Sequence, residues 1–284
     1  MTARRRTIAR PAAVEGVGVH LGAPCRLTYR PAPAGHGVAF RRVDLAGAPV
    51  IPALVDRAVL AERRTQLGAG EQAVHTVEHA LAAVVAHQVD DLLIDVDGPE
   101  APIMDGSARP FFDAIARAGV VAHGGTAAYL ALREPVRVED GDSAYEAYPS
   151  DDLVLDVTID FPHPLIGRQS GRFVVTREAF SRELAAARTF GFAHEVETLR
   201  AKGLIRGASL ENAVVLDERG VIGTTLRWPD EFLRHKVMDC VGDLALAGAR
   251  VRARVVAVRP SHRGTVTLVR ELTRVRQRGA ECTV

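Results

Sequence analysis

The chain has 284 residues, of which 47% are hydrophobic and 25% are charged, a balance typical of one large globular domain or two of ordinary size. Its 36 lysines and arginines nearly balance its 35 aspartates and glutamates, and a formal net charge of +1 gives no reason to expect a general nucleic-acid binder. Cys25, Cys240 and Cys282 lie far apart without a C-x-x-C pair, which argues against a disulfide framework and for a reducing compartment.

The sequence offers no segment for stable membrane insertion. The basic amino end, residues 1–6, is followed by no long apolar run. No stretch of about 18 apolar residues, the length that a membrane helix needs, occurs in the chain. We therefore predict a cytoplasmic protein.

The first half of the chain predicts strands and two helices. Strand-like alternation covers residues 25–30 and 38–43, and residues 92–96 form a short apolar strand. A charged segment at residues 56–64 precedes the first helix, and we interpret its Arg63 and Arg64 as a solvated edge. The second helix covers residues 110–118 and is closed by Gly119. The glycines around His20 fit neither of the usual nucleotide-binding fingerprints, so we interpret His20 as structural.

Polar residues are concentrated in the first turn of the first helix, which is predicted to start near Thr76. A zinc site that hydrolyses a substrate needs about three protein ligands and an open position for water. It also needs a carboxylate that takes the proton of that water without being a ligand. Glu78 and His79 are adjacent in this turn and can supply the carboxylate and one ligand.

Residues 122–126, with the sequence AHGGT, are the best linker in the chain. We place a domain boundary there, between an N-terminal α+β domain at residues 1–123 and a C-terminal α+β domain at residues 127–284. The second half again predicts strands and then a helix, at residues 129–138, 153–161 and about 177–188. Two similar halves that face one another would form a site in the cleft between them.

One segment of the second half matches a known metal-binding motif only in part. His194 and Glu195 begin like the H-E-x-x-H motif of zinc peptidases, but Thr198 stands where the second histidine would be. We interpret Glu195 and Glu197 as the solvated side of a short helix.

A later helix carries three polar residues at regular spacing. His235 and Asp239 stand four residues apart on one face, and Asp243 lies one turn further, roughly 80° from His235. Taken alone, an H-x-x-x-D pair is more often a surface pair on a helix. Together with Glu78 and His79, however, it completes three ligands and one base.

His262 lies in a polar segment, residues 259–264, that follows a strand-like run. We predict a loop there. Because loops often carry catalytic residues, His262 is a candidate general acid.

Four motifs, in their order and spacing, resemble those of a known enzyme family. They are TVEH at residues 76–79, APIMDGS at 101–107, ARTFGF at 187–192 and DEFLRHKVMD at 230–239. This set is similar to the UDP-3-O-acyl-N-acetylglucosamine deacetylases, the zinc enzymes of the committed step of lipid A synthesis in Gram-negative bacteria. The similarity extends from about residue 6 to about residue 262, which is nearly the whole chain.

The resemblance implies an α+β fold of two similar α/β-sandwich domains, each a sheet layered with helices and carrying a small insert. The active site would lie between the domains, and the insert of the second half would cover about residues 191–216. His79, His235 and Asp239 would bind Zn²⁺. Glu78 would take the proton of the attacking water.

The resemblance also implies roles for other polar residues. The Thr189 hydroxyl and a protonated His262 would stabilise the oxyanion of the tetrahedral intermediate. Asp243 would hydrogen-bond His262 and keep it protonated. Either Glu78 or His262 could then protonate the leaving amine, so a one-residue and a two-residue acid–base scheme stay open.

The implied substrate is a small nucleotide sugar that carries an acyl chain. Lys236 would point about 100° away from the zinc axis and bind a diphosphate or sugar group at the rim of the cleft. Phe190 would offer a flat face to a uracil or sugar ring, and Phe192 and Leu204 would line a passage for the acyl chain. We expect the protein to act as a monomer.

Three functions compete at this point. The first is the lipid A pathway deacetylase, the second is a zinc deacetylase of the same scaffold that acts on a different N-acetylated sugar without an acyl chain, and the third is a non-catalytic binding protein. The third is weakest because every expected ligand and catalytic residue is present. Three residues bear on the choice between the first two functions, because this chain departs there from the family's usual residues: Leu21, Ser261 and Thr265.

Overall fold

Two sheets of matching topology organise the chain, which a computed structural model describes from residue 3 to residue 281, with side chains described to residue 275. The elements of the first half, in chain order, are β1 (Arg4–Ile8), β2 (Ala12–Val17), β3 (Pro24–Pro31), β4 (Val38–Arg42), β5 (Val50–Pro52), β6 (Ala58–Ala61), β7 (Arg64–Leu67), β8 (Val74–His75), α1 (Glu78–Ala86), β9 (Leu92–Val96), α2 (Arg109–Ala118) and β10 (Val120–Thr126). Those of the second half are β11 (Tyr129–Ala131), β12 (Val136–Asp140), β13 (Ser143–Pro149), β14 (Val154–Phe161), β15 (Gly167–Val174), α3 (Arg177–Ala179), β16 (Phe190–Phe192), α4 (Val196–Ala201), β17 (Val214–Asp217), β18 (Gly220–Ile222), α5 (Glu231–Leu244), β19 (Arg250–Val258) and α6 (His262–Glu281).

The two large sheets repeat one strand order. The first is ordered β2-β3-β9-β4-β5, and the second is ordered β12-β13-β19-β14-β15 with β11 beside β19. In each sheet the last strand in sequence enters the middle, antiparallel to one neighbour and parallel to the other. A parallel pair needs a long crossover connection, and α1 and α5 lie in these two crossovers. The predicted α+β class is confirmed.

Burial follows the side-chain alternation of the strands. In β3, Cys25, Leu27 and Tyr29 are buried and their neighbours along the strand are more exposed, as the two-residue period of a strand requires. Helix α1 differs because it is apolar nearly all round, with every residue from Glu78 to Val84 buried. A helix of this kind belongs in the interior. It packs against α5, and this is the most extensive contact between two helices in the described part of the chain.

Two small sheets accompany the large ones. Strands β6, β7 and β8 form the first, which lies in sequence between β5 and α1, and β16, β17 and β18 form the second. Within the charged segment at residues 56–64, Arg63 is exposed, as predicted, whereas Arg64 is half-buried. Arg64 Nε donates to His75 Nδ1 at 3.2 Å across the first small sheet, and Arg63 pairs with Glu195 at 2.7 Å.

Three segments differ from their predictions. The predicted linker, residues 122–126, belongs to β10, which pairs with β1 and so overrides the local preference of the glycines. The predicted strand at residues 129–138 is divided into β11 and β12, because Pro135 lies between them and cannot donate to a sheet. The domain boundary that we placed at the linker stays a proposal.

The predicted helix at residues 177–188 is shorter than expected. Its regular part is α3, and a wider turn follows at Phe180–Leu184, where the Ala185 N–H donates to the Phe180 carbonyl at 2.7 Å. This five-residue spacing marks a local widening of the helix. The chain then leaves the helical path and enters the site as an extended segment.

Two further predictions concern membrane-spanning helices and the cysteines. No helix within residues 3–281 combines the length and the apolar character needed to cross a bilayer. Cys25 and Cys240 are buried free thiols, and burial raises the pKa of each to about 12. Cys282 lies outside the described residues.

Candidate active site

Two helices from different halves of the chain meet at the site. The first turn of α1 carries Glu78 and His79, and one face of α5 carries His235 and Asp239. His79 Nε2 lies 3.6 Å and His235 Nε2 lies 3.4 Å from the same atom, Asp239 Oδ1. One ligand atom from each of these three residues lies within 4.8 Å of the others. The structure thus brings the three predicted metal ligands together.

The approach of α1 to α5 depends on two local features. A side chain at Gly242 would overlap the Glu78 carbonyl, so only glycine lets the two helices come this close. Thr76 adopts a φ of 58°, which is unfavourable for a β-branched residue. Its hydroxyl donates to the buried Glu100 carboxylate at 2.8 Å, which holds this turn. As a result the helix begins at Glu78 rather than near Thr76.

Two of the three candidate ligands, His235 and Asp239, have protonation states suited to binding a metal ion. His235 Nδ1 donates to the Ala187 carbonyl at 3.1 Å, which leaves the lone pair of Nε2 facing Asp239. Burial lowers the pKa of His235 to about 4. Burial alone would raise the pKa of Asp239, but the adjacent basic groups, His235 first and then Lys236, hold it well below its usual range.

One buried oxygen supports a cation at this point. Asp239 Oδ1 has no hydrogen-bond partner among residues 3–275, and an ionised oxygen buried in this way is costly unless a cation compensates it. Two imidazole nitrogens and one carboxylate oxygen form a set that Zn²⁺ accepts, with a fourth position left for water. Within the described part of the chain, no other group of three His, Cys, Asp or Glu residues has comparable geometry.

Glu78 lies beside these ligands without belonging to them. Its Oε2 accepts the Thr65 backbone N–H at 3.1 Å, and its Oε1 lies 3.7 Å from His262 Nε2. Burial raises the pKa of Glu78, and the nearby His262 partly opposes this effect. A carboxylate with a raised pKa is suited to take and return a proton near neutral pH.

His262 is the first residue of α6, so the predicted loop at this position was wrong. Its Nδ1 donates to Asp243 Oδ2 at 3.0 Å, and its Nε2 lies 3.8 Å from Asp239 Oδ2. Burial lowers the pKa of His262, but the carboxylates of Asp243, Glu78 and Asp239 outweigh that effect and raise the pKa to about 9. The imidazole therefore carries its proton on the side that faces Glu78.

Lys236 does not take the direction that we predicted. Its ammonium group lies 3.0 Å from Asp239 Oδ2, and its side chain is only 15% exposed. Residues three apart on a helix are neighbours, so the flexible side chain folds back to the carboxylate. Burial lowers the pKa of Lys236, but Asp239 more than compensates and the net shift is upward. The amine thus lines the cavity beside the metal ligands.

Thr189 is held at the cavity wall by its backbone and by the residue before it. Its N–H donates to the Gly106 carbonyl and its own carbonyl accepts the Val214 N–H, both at 2.8 Å. Arg188 makes a buried bidentate ion pair with Glu231, the first residue of α5, at 2.8 and 3.1 Å. Because this pair ties the extended segment to α5, it sets the position of Thr189 relative to the metal ligands.

A cavity of about 560 Å³ opens at these residues. Thr189, Phe190, Phe192 and Lys236 line it together with the metal ligands, Glu78 and His262. The Phe190 ring packs edge-on against Phe232 with centroids 4.9 Å apart. Further apolar lining comes from Val19, Ile103, Phe161, Val196, Leu199 and Val215. An apolar chamber that ends in a polar cluster fits a substrate with a lipid part and a reacting polar part.

Leu204 is the predicted substrate residue that does not line this cavity. Its side chain is 8% exposed, whereas the next residue, Ile205, lines the cavity. Ile205 has a φ of 50°, and this local reversal of the backbone turns Ile205 rather than Leu204 toward the chamber.

Two features of the site were not predicted from the sequence, namely Thr65 and one ion pair. Thr65 lies 2% exposed between Glu78, Asp243 and His262. The pair formed by Arg63 and Glu195 also lines the cavity, although both residues were interpreted as solvated. An ion pair between two distant segments leaves no local pattern in a sequence.

These features define a class of protein, the metal-dependent hydrolases that use two histidines and one carboxylate as ligands and a separate carboxylate for proton transfer. The comparison with family models gives the particular group. The model described as UDP-3-O-acyl N-acetylglycosamine deacetylase matches residues 5–274, and the chain belongs to this family. The resemblance predicted from the four motifs is confirmed.

Individual relatives agree with the family assignment. A protein from Anaeromyxobacter sp. (strain Fw109-5) is 44% identical over 94% of this chain and 88% of its own length. One from Thermosynechococcus vestitus is 43% identical over 96% of this chain and 95% of its own. Bdellovibrio bacteriovorus has one that is 40% identical over 94% of this chain and 89% of its own. All three bear the name UDP-3-O-acyl-N-acetylglucosamine deacetylase.

Proposed function

We propose that this chain hydrolyses the acetamide of a UDP-3-O-acyl-N-acetylglucosamine, giving the free amine and acetate, which is the committed step of lipid A synthesis. One observation supports this function above all others. Three ligand atoms within 4.8 Å of one another lie beside a separate buried carboxylate and histidine, at the end of a largely apolar cavity. Family membership over residues 5–274 agrees with it.

The residues that would hold the metal are His79, His235 and Asp239, and their donor set favours Zn²⁺. When bound, zinc lowers the pKa of water toward neutrality and polarises a carbonyl oxygen. Asp239 and the neutral His235 are prepared for this role by burial and by hydrogen bonding, since ligands must be deprotonated before they bind a cation.

Glu78 is the proton acceptor. Its Oε2 is occupied by the Thr65 N–H, so Oε1 is the oxygen that remains for the attacking water. The water loses its proton to Glu78 as it adds to the acetamide carbonyl. Because burial raises the pKa of Glu78, the protonated carboxyl can return the proton in a later step.

The oxyanion and the leaving amine need donors. Nε2 of His262 carries a proton and lies 3.7 Å from Glu78, so it can donate to the oxyanion together with the Thr189 hydroxyl. Collapse of the tetrahedral intermediate breaks the C–N bond, and the amine takes a proton from Glu78 or from His262. Because Glu78 Oε1 and His262 Nε2 lie only 3.7 Å apart, the one-residue and two-residue schemes stay open.

Substrate recognition divides into a polar and an apolar part. We assign the diphosphate or sugar group to Lys236 and the uracil or sugar ring to Phe190. The acyl chain would lie against Phe192 and Leu199, which line the apolar chamber. Lys236 already contacts Asp239, so its charge acts close to the reacting sugar.

The alternative, a deacetylase for an N-acetylated sugar without an acyl chain, has less support. The relatives described above are all named for an acylated substrate, and the cavity is mainly apolar. A non-catalytic role has less support still, because the ligands and the proton-transfer residues lie together in one cluster.

The remaining proposals concern the state of the protein. We place it in the cytoplasm, a reducing compartment, because Cys25 and Cys240 are free thiols. We propose that it acts as a monomer, because both metal-binding helices belong to one chain. We also keep the division into two domains, at residues 1–123 and 127–284.

Acetate release is the experiment that tests the function. Purified protein with zinc should release acetate from UDP-3-O-acyl-N-acetylglucosamine, detected by a coupled acetate assay or by mass spectrometry of the amine product. Release from another N-acetylated sugar but not from this one would favour the alternative. A protein that binds the nucleotide sugar without releasing acetate would support the non-catalytic role.

The pH dependence of kcat/KM should report the protonation of His262. Its pKa is raised to about 9, so its donor proton is present at neutral pH and is lost as the pH rises through that value. Because a bound dication would repel the imidazolium, we expect the high-pH limb of kcat/KM at or below about pH 9. His262→Gln should keep the metal and lose this limb. If the limb is unchanged in the variant, it belongs to another group, such as the attacking water.

A further inference from the structure

Thr65 connects the proton-transfer residues of the site. It lies in β7, in the small first-half sheet, and it is 2% exposed. Its backbone N–H donates to Glu78 Oε2 at 3.1 Å. Its hydroxyl donates to Asp243 Oδ1 at 2.5 Å. The Thr65 hydroxyl oxygen, Oγ1, also lies 3.3 Å from His262 Nδ1. One residue therefore contacts all three groups that surround the proposed path of the proton.

These contacts fix the orientation of two carboxylates. Asp243 receives a donor on each oxygen, the Thr65 hydroxyl on Oδ1 and His262 Nδ1 on Oδ2. With both oxygens engaged, the plane of the carboxylate cannot rotate without breaking a buried hydrogen bond. The Glu78 carboxylate is oriented in a similar way. The Thr65 backbone N–H binds its Oε2, and its Oε1 faces His262 Nε2.

The direction of the Thr65 proton also matters for His262. A hydroxyl can donate only one hydrogen bond. The Thr65 hydroxyl donates its hydrogen bond to Asp243, so toward His262 the Thr65 oxygen can only act as an acceptor. The Nδ1–H of His262 therefore has two acceptors and no competing donor. This arrangement keeps Nδ1 protonated and aims the opposite nitrogen, Nε2, at Glu78 and the substrate.

The backbone holds Thr65 in this place. Strand β7 pairs with β8, whose last residue precedes the turn into α1. The Thr65 carbonyl also accepts the Val77 N–H at 3.4 Å, directly before Glu78. The small sheet and the first turn of α1 are thus hydrogen-bonded to each other, and Thr65 links them to α5 and α6 of the other half.

We propose that Thr65 is a positioning residue for deacetylation, which orients Asp243 and His262 through its hydroxyl and Glu78 through its N–H. This inference rests on the proposed roles of those three residues. It predicts that the hydroxyl contributes to turnover rather than to substrate binding or metal binding. A purely structural threonine would contribute to stability alone.

The test compares Thr65→Val, which keeps the shape and removes the hydroxyl, with Thr65→Ser, which keeps the hydroxyl. We expect Thr65→Val to lower kcat by about 10- to 100-fold, the usual range for a residue that supports a catalytic group. KM and zinc content should stay near the wild-type values, and Thr65→Ser should recover most of kcat. Thr7→Val is the matched control, because Thr7 is also buried and its hydroxyl accepts a backbone N–H far from the site.

A double-mutant cycle and a proton spectrum separate positioning from simple destabilisation. Thr65→Val combined with Asp243→Asn should be non-additive in kcat, because both substitutions break the same hydrogen bond. The low-field Nδ1–H resonance of His262 should shift in Thr65→Val and remain in Thr65→Ser. Thr65→Ala removes the hydroxyl without adding a methyl group against Asp243 and decides the question if Thr65→Val does not fold.

Several results would overturn the inference. Wild-type kcat and an unshifted His262 resonance in Thr65→Val would do so, as would additive effects in the cycle. If Glu78→Gln and Asp243→Asn lose activity while Thr65→Val does not, the inference about Thr65 fails alone. If those two variants keep full activity, the proposed catalytic roles themselves are wrong.

Discussion

Replacement of Glu78 by glutamine is expected to lower kcat by about 10²- to 10⁴-fold, the range for loss of a positioned general base. The amide has nearly the same shape as the carboxylate and can accept hydrogen bonds, but it cannot take a proton from water. Because Glu78 is not one of the three clustered ligands, the variant should keep its zinc. Steady-state rates and metal analysis of the same preparation measure both quantities.

Glu271→Gln removes a carboxylate from α6 that pairs with Arg274 away from the site, and its kcat should match that of the wild type. If Glu78→Gln loses zinc together with activity, Glu78 is a ligand. If it keeps both, another group removes the proton from water.

The acyl chain is expected to raise kcat/KM by at least about 10²-fold over unacylated UDP-N-acetylglucosamine. Such a ratio corresponds to about 2.8 kcal/mol. Burial of three or four methylene groups, at roughly 0.8 kcal/mol each, provides this amount, and the apolar chamber has room for more. Binding energy from this remote part of the substrate can be used to orient the acetamide. Parallel kinetics with the two substrates give the ratio.

Variants of the cavity wall should separate the two parts of the substrate. A polar substitution such as Phe192→Ser or Leu199→Ser should harm turnover of the acylated substrate and leave the unacylated one nearly unchanged. Lys236→Ala should weaken both substrates alike. Equal kcat/KM with and without the acyl chain would reject the lipid A assignment and favour a sugar deacetylase without a lipid passage.

The clustering of the candidate metal ligands could be predicted in part, because each half of the site is local in sequence. His235 and Asp239 share a helix face by their spacing, and Glu78 and His79 are consecutive in the first turn of α1. Helical periodicity is short-range, so a single sequence displays it. The meeting of the two helices is not local, and it entered the prediction through the resemblance to a family.

Thr65 could not be predicted for the opposite reason. Its hydroxyl contacts Asp243, 178 positions later in the chain. Its identity is common in strands, and its neighbours suggested only a charged segment. A residue whose side-chain and backbone contacts come from three separate parts of the chain leaves no periodic pattern, and only the packed fold shows those contacts.

The wrong predictions also have physical causes. Lys236 was placed by the angle of its Cα–Cβ bond alone, and its long side chain turned toward the nearest negative charge. Residues 122–126 have a linker composition, but pairing with β1 makes them a strand. Ile205 lines the cavity in place of Leu204, at a point where the backbone has a positive φ. Tertiary contacts decided each of these positions.

The metal site is tested most directly by adding Zn²⁺ to metal-free protein while acetate release from UDP-3-O-acyl-N-acetylglucosamine is followed. We expect activity to be absent without metal, to rise with added zinc, and to stop rising at about one zinc per chain, since the three ligands form one site. Asp239→Ala should not respond over the same range of zinc concentration. Acetate release that survives removal of the metal, or wild-type zinc affinity in Asp239→Ala, would contradict a catalytic metal at His79, His235 and Asp239.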